Sequence, residues 1–393
     1  MYYKREIEET LIEQLEKKEI TVLAGMRRTG KTSLLKMLFD KIESKNKVFL
    51  DLQNILEQKI FDEIDYNNIL DNLKIYKISK SEKLYLFIDE IQFMPQVTNA
   101  IKYLYDHYDI KFVITGSSSF YLKNLFPESL AGRKIVFELY PLTFNEYLVF
   151  KEIDIEFLKE FNLKVENKNR IEYEQLTKYY DEYLKYGGFP QVVLENDISQ
   201  KEHILKDIFN SYFQIDILNL SDFKKVDALK KLIFLLMERI GSKLDMSKLA
   251  SLTGVSRDSI YSYINLLEGS FFFHFITPFT KNKDREISGT KKVYICDNGI
   301  LNLLSNISDG SLLENSVYNN LKKLGEVNYY QKRTGQEIDF IIDKSIAIEV
   351  KKTGDISDIK KLKRLSNQLE LDEHYLISQN YLVEDKSICA YQI

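Results

Sequence analysis

The sequence has no excess of cations. Its 55 Lys and Arg are outnumbered by 59 Asp and Glu, for a net charge of −4. No global basic field draws the chain to nucleic acid, so any such contact must rest on a local patch. Cysteine is scarce: Cys296 and Cys389 are the only two, they lie far apart, and no Cys/His spacing matches a zinc site. Two lone cysteines fit a reducing, cytoplasmic setting. The four histidines are scattered, which reads them as structural or solvent-facing rather than as ligands. Long apolar runs are missing too. The longest aromatic stretch, "FFFHFI" at 271–276, is far too short to span a bilayer. The amino-terminal "MYYKREIEETLIEQ" is charged and has no apolar signal core. No repeat of fixed period and no low-complexity tract is seen. These absences predict a soluble, intracellular protein with no membrane partner.

What is present divides unevenly along the chain. The 393 residues suffice for two to four domains, and 44% hydrophobic residues let each bury a core. In "ITVLAGMRRTGKTSLLKMLFDKI" (20–42), an apolar run precedes Gly25-Met26-Arg27-Arg28-Thr29-Gly30-Lys31-Thr32. Leu34, Leu35, Leu38, Phe39 and Ile42 then recur at helical spacing. The octet matches GxxxxGK[ST] in its strand–loop–helix setting. Gly25 and Gly30 let the backbone curl so that N–H groups face phosphate oxygens, and the helix start adds partial positive charge. Lys31 would reach the β- and γ-phosphates of ATP, Thr32 would offer its hydroxyl to Mg²⁺, and Met26, Arg27, Arg28, Thr29 and Ser33 complete the cradle.

"KLYLFIDEIQ" (83–92) reads as a buried parallel strand ending in Asp89 and Glu90. Ligands bind at the carboxyl ends of such strands. Asp89 would therefore hold Mg²⁺ through water, and Glu90 would polarise the attacking water. "VFLDLQ" (48–53) and "IKFVITGSSSF" (110–120) read as further strands. A hydroxyl of the second, Ser117 among them, is either a γ-phosphate sensor or ordinary turn chemistry. Strands alternating with helices predict a parallel sheet.

Together the Gly25–Thr32 loop, "FIDE" and "ITGSSS" resemble the AAA+/STAND branch of P-loop ATPases. More specifically, the chain resembles a prokaryotic group of predicted AAA+ ATPases. That likeness rests also on Ala131-Gly132-Arg133, "LYPLTFNEY" (139–147) and "YGGFP" (186–190). It implies Arg133 as an arginine that meets the γ-phosphate, in cis or from a neighbouring subunit of a homo-oligomer.

Residues 148–225 read as a helical lid broken by Gly-Gly-Phe-Pro. Between 226 and 285, a helix ending near Thr253-Gly254, a Ser256 N-cap and a second helix through Leu267 read as a helix-turn-helix followed by a wing. Over 226–280 six Lys/Arg face five Asp/Glu, a poor footprint for DNA. DNA binding and a connector role both stay open.

In the last segment, 286–393, "LLENSVYNNLKKLG" (312–325) reads as a helix with Leu313, Val317, Leu321 and Leu324 on one side and Glu314 at its edge. "VNYYQ" (327–331) reads as a strand. In "GQEIDFIIDKSIAIEVKK" (335–352), two strands joined by Asp343-Lys344-Ser345 would pair 342 with 346. That register sets Asp339 opposite Glu349, with Lys351 on the same face. Facing carboxylates repel, which makes sense if a cation sits between them.

Asp and Glu-x-Lys on adjacent strands resemble the PD-(D/E)xK nuclease arrangement. The resemblance implies Asp339 and Glu349 as Mg²⁺ ligands, Glu314 as a helix-borne third, and Lys351 as the group that orients water or stabilises charge. A fold that binds without cutting is the other reading, and 14 Lys/Arg against 16 Asp/Glu over 286–393 disfavour strong unaided DNA binding. The expectation is an α/β multidomain chain. It comprises a P-loop ASCE core with a parallel sheet (1–147), a helical lid (148–225), a winged helix (226–285) and a PD-(D/E)xK-like α/β domain (286–393).

Overall fold

The computed structural model describes residues 2–117, 132–155, 157–217, 226–280, 286, 289–332 and 334–393. Ser118, Ala131 and the part of the expected wing at 281–285 lie outside them. The chain forms two compact units. The first comprises Met1–Tyr140, Ser211–Asp222 and Gly269–Phe271; the second comprises Pro141–Asn210, Phe223–Glu268 and Phe272–Ile393.

The first unit is built on a five-stranded sheet in the order β2-β3-β4-β1-β5, formed by Ile20–Ala24 (β1), Lys47–Asp51 (β2), Leu84–Asp89 (β3), Ile110–Gly116 (β4) and Lys134–Glu138 (β5). All neighbours are parallel. β1 and β4 are buried throughout, which explains their unbroken apolar sequences. Helix Lys31–Lys41 lays Leu34, Leu35 and Leu38 against Leu23, Phe87 and Val113. The sheet therefore presents the carboxyl ends of β1, β3 and β4 together, beside that helix's first turn.

The second unit carries a sheet in the order β12-β11-β10-β9-β8. Val327–Gln331 (β8), Glu337–Ile342 (β9) and Ile346–Lys351 (β10) form an antiparallel meander. Helix Ile356–Leu369 then crosses to Glu373–Ser378 (β11), parallel to β10, and Ser387–Cys389 (β12) adds in parallel. Helix Asp309–Leu321 precedes β8 and buries Leu313, Val317 and Leu321, as expected. Leu324 departs from expectation: it lies past the helix end and is 49% exposed.

The β9–β10 turn has the predicted register, Ile346 opposite Ile342, with Asp343 and Lys344 both left-handed. A ribbon of Phe273–Ile276 (β6) against Lys292–Ile295 (β7) also belongs here. So do helices Val226–Met237, Met246–Thr253 and Arg257–Gly269, the last contributing all but its final residue. Gly254 closes the middle helix in the left-handed region, where glycine has no Cβ penalty. The Ser256 hydroxyl accepts the Ser259 N–H at 3.1 Å, so the expected N-cap is in place.

The "PLTF" and "GGFP" stretches meet in this unit. Leu142 N–H donates to the Gly188 carbonyl at 2.7 Å, and a Cβ on Gly188 would come within 2.3 Å of Leu142 O. Thr143 and Glu146 form a capping box on helix Phe144–Phe150. Asp297 caps helix Asn298–Leu304 and also accepts the Gly188 N–H at 2.7 Å. These motifs form a packed joint.

Candidate functional site: a phosphate loop and a buried carboxylate cluster

β1 ends at Ala24, and its backbone turns at once into the loop. Leu139 N–H donates to Ala24 O at 2.7 Å, and a Cβ on Gly25 would sit 2.2 Å from the Leu139 carbonyl. Only glycine fits there. Gly30 is left-handed and sets the start of helix Lys31–Lys41. Thr29 braces the loop through its hydroxyl to Met26 O at 2.9 Å, and the Arg5 guanidinium holds Thr29 O at 2.9 Å. Arg28 and Ser33 are exposed, Arg28 with a left-handed backbone.

Lys31 is 4% exposed and donates to Gly25 O at 2.9 Å and Met26 O at 2.8 Å. Burial holds its pKa below the ordinary lysine value, against the pull of Glu90, Asp216 and Asp89.

Asp89 ends β3, 2% exposed. Burial raises its carboxyl, while hydrogen bonds from Thr115 and Thr32 favour the ionised form. The Thr115 hydroxyl donates to Asp89 and accepts the Glu90 N–H at 3.0 Å. Glu90 is left-handed, 8% exposed, and accepts from the Gln92 amide. Ser117 is buried, and its N–H donates to Gln92 Oε1 at 3.3 Å. Thus Thr32, Asp89, Glu90 and the end of β4 gather beside the loop. A hydroxyl next to a carboxylate, close to a phosphate cradle, fits Mg²⁺, which takes few protein ligands and keeps water and phosphate oxygens.

Two features of this site escaped sequence reasoning. Asp216, in the π-helical turn Tyr212–Ile217, accepts from Arg27 Nε at 2.9 Å and is 4% exposed. The Thr115 hydroxyl ties β4 to Asp89 at the end of β3 and to Glu90 just past it. Nothing local in the sequence marks Asp216; its role exists only through the fold.

The expectation for Arg133 in cis is corrected. Arg133 immediately precedes β5, whose Lys134 pairs with Ile20, so it lies at the end of the sheet away from the loop. That separation is roughly five strand residues, about 16 Å. Its guanidinium pairs with Asp106 at 2.9 Å.

In the second unit, the expected charges on β9 and β10 converge, with Asp339 buried at 9% exposure and Glu349 and Lys351 half-buried. The recorded ladder runs from Ile346–Ile342 to Ile348–Phe340. One step further, the Asp339 carboxylate accepts the Val350 N–H at 2.8 Å. Lys351 Nζ bonds Glu349 at 2.6 Å, and Tyr294 OH donates to Glu314 at 2.7 Å. Burial first, then the Asp339 charge, pushes Glu314 up to about 7 and Glu349 up to about 8.

Two further members were missed, Glu337 and Lys292. Lys292 on β7 is 2% exposed, pairs with Glu337, and lies 3.8 Å from Glu314. Burial works against its charge, but Glu314, Asp339 and Glu337 outweigh that and hold its pKa above the ordinary value. Glu337 had a visible signal, since it lies two residues from Asp339 and so on its face. Lys292 had none beyond a charge at the start of an apolar run.

Glu314, Asp339 and Glu349 do not form the expected three-ligand set. Among the described residues, no three His, Cys, Asp or Glu side chains are arranged to hold a metal ion. The carboxylates are turned instead to an ammonium, a phenol or a backbone N–H. Among the described residues, no helix is long and apolar enough to cross a membrane.

Comparison with known proteins agrees with the first unit. Residues 17–148 match the model of an AAA domain, and 177–311 and 309–389 match two domains of unknown function. An uncharacterized protein of Methanocaldococcus jannaschii, MJ1544, is 31% identical over 371 residues, covering 90% of this chain and 80% of its own. An uncharacterized protein of Haemophilus influenzae is 30% identical, covering 83% and 80%. Among solved structures, AMPPCP-bound DnaA from Aquifex aeolicus is similar at a TM-score of 0.29 and 18% identity, covering 67% of this chain and 86% of that one. A STAND protein with a tetratricopeptide repeat sensor from Pyrococcus horikoshii gives 0.29 and 14%, covering 82% and 45%. These structural likenesses are too loose to build on. With a phosphate loop, a parallel sheet and an acidic strand end in its AAA domain, the chain belongs to the family of the Methanocaldococcus jannaschii protein MJ1544.

Proposed function

We propose that the protein hydrolyses ATP at the Gly25–Thr32 loop and couples that cycle to nucleic acid through its second unit. The observation that carries the ATPase reading is the gathering of Lys31, Thr32, Asp89 and Glu90 at one end of the parallel sheet. Bound Mg²⁺ would neutralise phosphate charge there, with Thr32 and Asp89 as its protein side. Lys31, now bonded to loop carbonyls, has a third donor for the phosphates. Glu90 would accept a proton from the attacking water, and Gln92 orients its carboxylate. Lys31→Ala is expected to abolish nucleotide binding, measured by titration with a fluorescent ATP analogue; unchanged affinity would overturn the reading. Glu90→Gln should bind ATP and fail to turn it over.

Coupling to nucleic acid is supported by three helices followed by a two-stranded ribbon, as in a winged helix. A groove of about 720 Å³ there is lined by Lys243, Arg257, Tyr261, Asn265 and Lys291 among others. The αβββαββ order of 309–389 supports the nuclease-like reading of "GQEIDF".

A second reading has an observation of its own. Lys292 and Lys351 already sit among the carboxylates, which favours an ATP-gated switch whose nuclease-like fold does not cut. Cleavage of single- or double-stranded DNA or RNA with Mn²⁺, lost in Asp339→Ala, would decide for the enzyme.

A further inference from the structure

We propose that Lys292 is the resident counter-ion of the carboxylate cluster and holds the place a divalent cation would need, so that the cluster is a plugged metal site. The inference rests on the nuclease-like reading of residues 309–389. Glu314 comes from helix Asp309–Leu321, Glu337 and Asp339 from β9, and Glu349 from β10. β7 contributes Lys292, which is 2% exposed, with its Nζ on Glu337 and 3.8 Å from Glu314.

An ammonium has only donors, so it satisfies carboxylate oxygens as a cation does. It offers no lone pair to a metal and repels one. Mg²⁺ demands oxygen ligands at about 2.0–2.1 Å in near-octahedral order. Glu314 cannot give it an undisturbed oxygen pair while Tyr294 and Lys292 approach the same Oε1. Being part of β7, Lys292 needs no binding from solution, and so it competes at a high effective concentration.

Its backbone is fixed from two sides, paired with Ile276 on β6 and bridged to Lys243. The side chain is therefore held to the cluster by the strand, and withdrawing it requires β7 to shift or the charge to be removed. Counting charges, four carboxylates face Lys292 and Lys351. Without Lys292 the four carboxylates face a single ammonium, Lys351, so a divalent cation would meet less positive charge there.

The test is calorimetric titration of the nucleotide-free, full-length protein with Mn²⁺. Removing one partner of a buried pair leaves the other uncompensated, so two variants are needed: Lys292→Met, and Lys292→Met with Glu337→Gln. Melting curves establish that each is folded. Each is expected to gain one Mn²⁺ site at least tenfold tighter than wild type, and adding Asp339→Asn should remove it. Lys292→Arg keeps the charge and should gain nothing. If wild type already binds Mn²⁺ as tightly as Lys292→Met, and loses it in Asp339→Asn, the plug is wrong while the nuclease-like reading stands. If the folded variants bind no Mn²⁺, no latent metal site exists and both fall.

Discussion

Arg27 Nε donates to Asp216 Oδ1 at 2.9 Å, joining the phosphate loop to a residue 189 positions further along the chain. The other oxygen, Asp216 Oδ2, is buried and makes no hydrogen bond. Burial raises the Asp216 carboxyl, and the Arg27 charge opposes this. A negative group that also acts on Lys31 works against incoming phosphates.

Asp216→Asn keeps the shape and removes the charge. It is expected to tighten ATP binding about tenfold, the scale of one unit charge acting at about 10 Å through an effective dielectric near 20. Arg27→Ala strands the buried carboxylate instead and should cost the first unit about 3 kcal/mol in urea melts. Titration with a fluorescent nucleotide separates the two effects. Weaker binding in Asp216→Asn would show that Asp216 acts by positioning Arg27 rather than by repulsion.

Thr115 links β4 to Asp89 at the end of β3 and to Glu90 just past it. Thr115→Val keeps the shape but takes a donor from Asp89 and an acceptor from the Glu90 N–H. An unmet buried N–H costs about 1–3 kcal/mol. The expected outcome is ATP affinity within a few-fold of wild type with turnover reduced at least tenfold, since Lys31 is untouched while Glu90 loses its brace. Steady-state phosphate release at saturating ATP measures it.

Arg257 opens the helix Arg257–Gly269 and lines the groove with Lys243 and Lys291. If this face meets DNA, Arg257→Ala should weaken duplex binding and lower the slope of log affinity against log salt by about 0.9. Fluorescence anisotropy at several salt concentrations reads both. An unchanged slope would assign the three helices to a connector role.

How much of this was legible in the sequence follows from how local each signal is. The phosphate loop is set by consecutive residues, so Gly25 to Thr32 declared both motif and element. The β9–β10 register could be counted because a short turn fixes it. The cis role of Arg133 failed because a motif names a residue but not the end of the strand at which it falls. Asp216 and Lys292 were invisible: each gains its role from a partner far away in sequence, and neither belongs to a periodic pattern. The ammonium of Lys292 beside Glu314 and Glu337 was missed for a related reason. Spacing brings carboxylates together but does not say which cation already sits among them.

Asp297 gives the second unit a pH dependence that can be isolated. Burial pushes its carboxyl up to about 6, against the N–H groups of Gly188, Ile300 and Gly299, from an ordinary value of 3.8. Between those values the folded state binds more protons than the unfolded one. Stability from this group is therefore full below about pH 4, falls as pH rises to about 6, and is level above. Asp297→Asn cannot titrate, so that slope should vanish in melts taken from pH 4 to 7. The amide has one acceptor oxygen where the carboxylate uses two, for Gly188 N–H at 2.7 Å and Ile300 N–H at 3.1 Å. One N–H is left unmet, and the variant should lose about 1–3 kcal/mol at neutral pH. Gly188→Ala attacks the same joint without changing its charge. Its Cβ would meet the Leu142 carbonyl at 2.3 Å, a backbone atom that cannot swing aside. It should lower the melting temperature while leaving Asp297 able to titrate, so the two variants separate packing from titration at one joint.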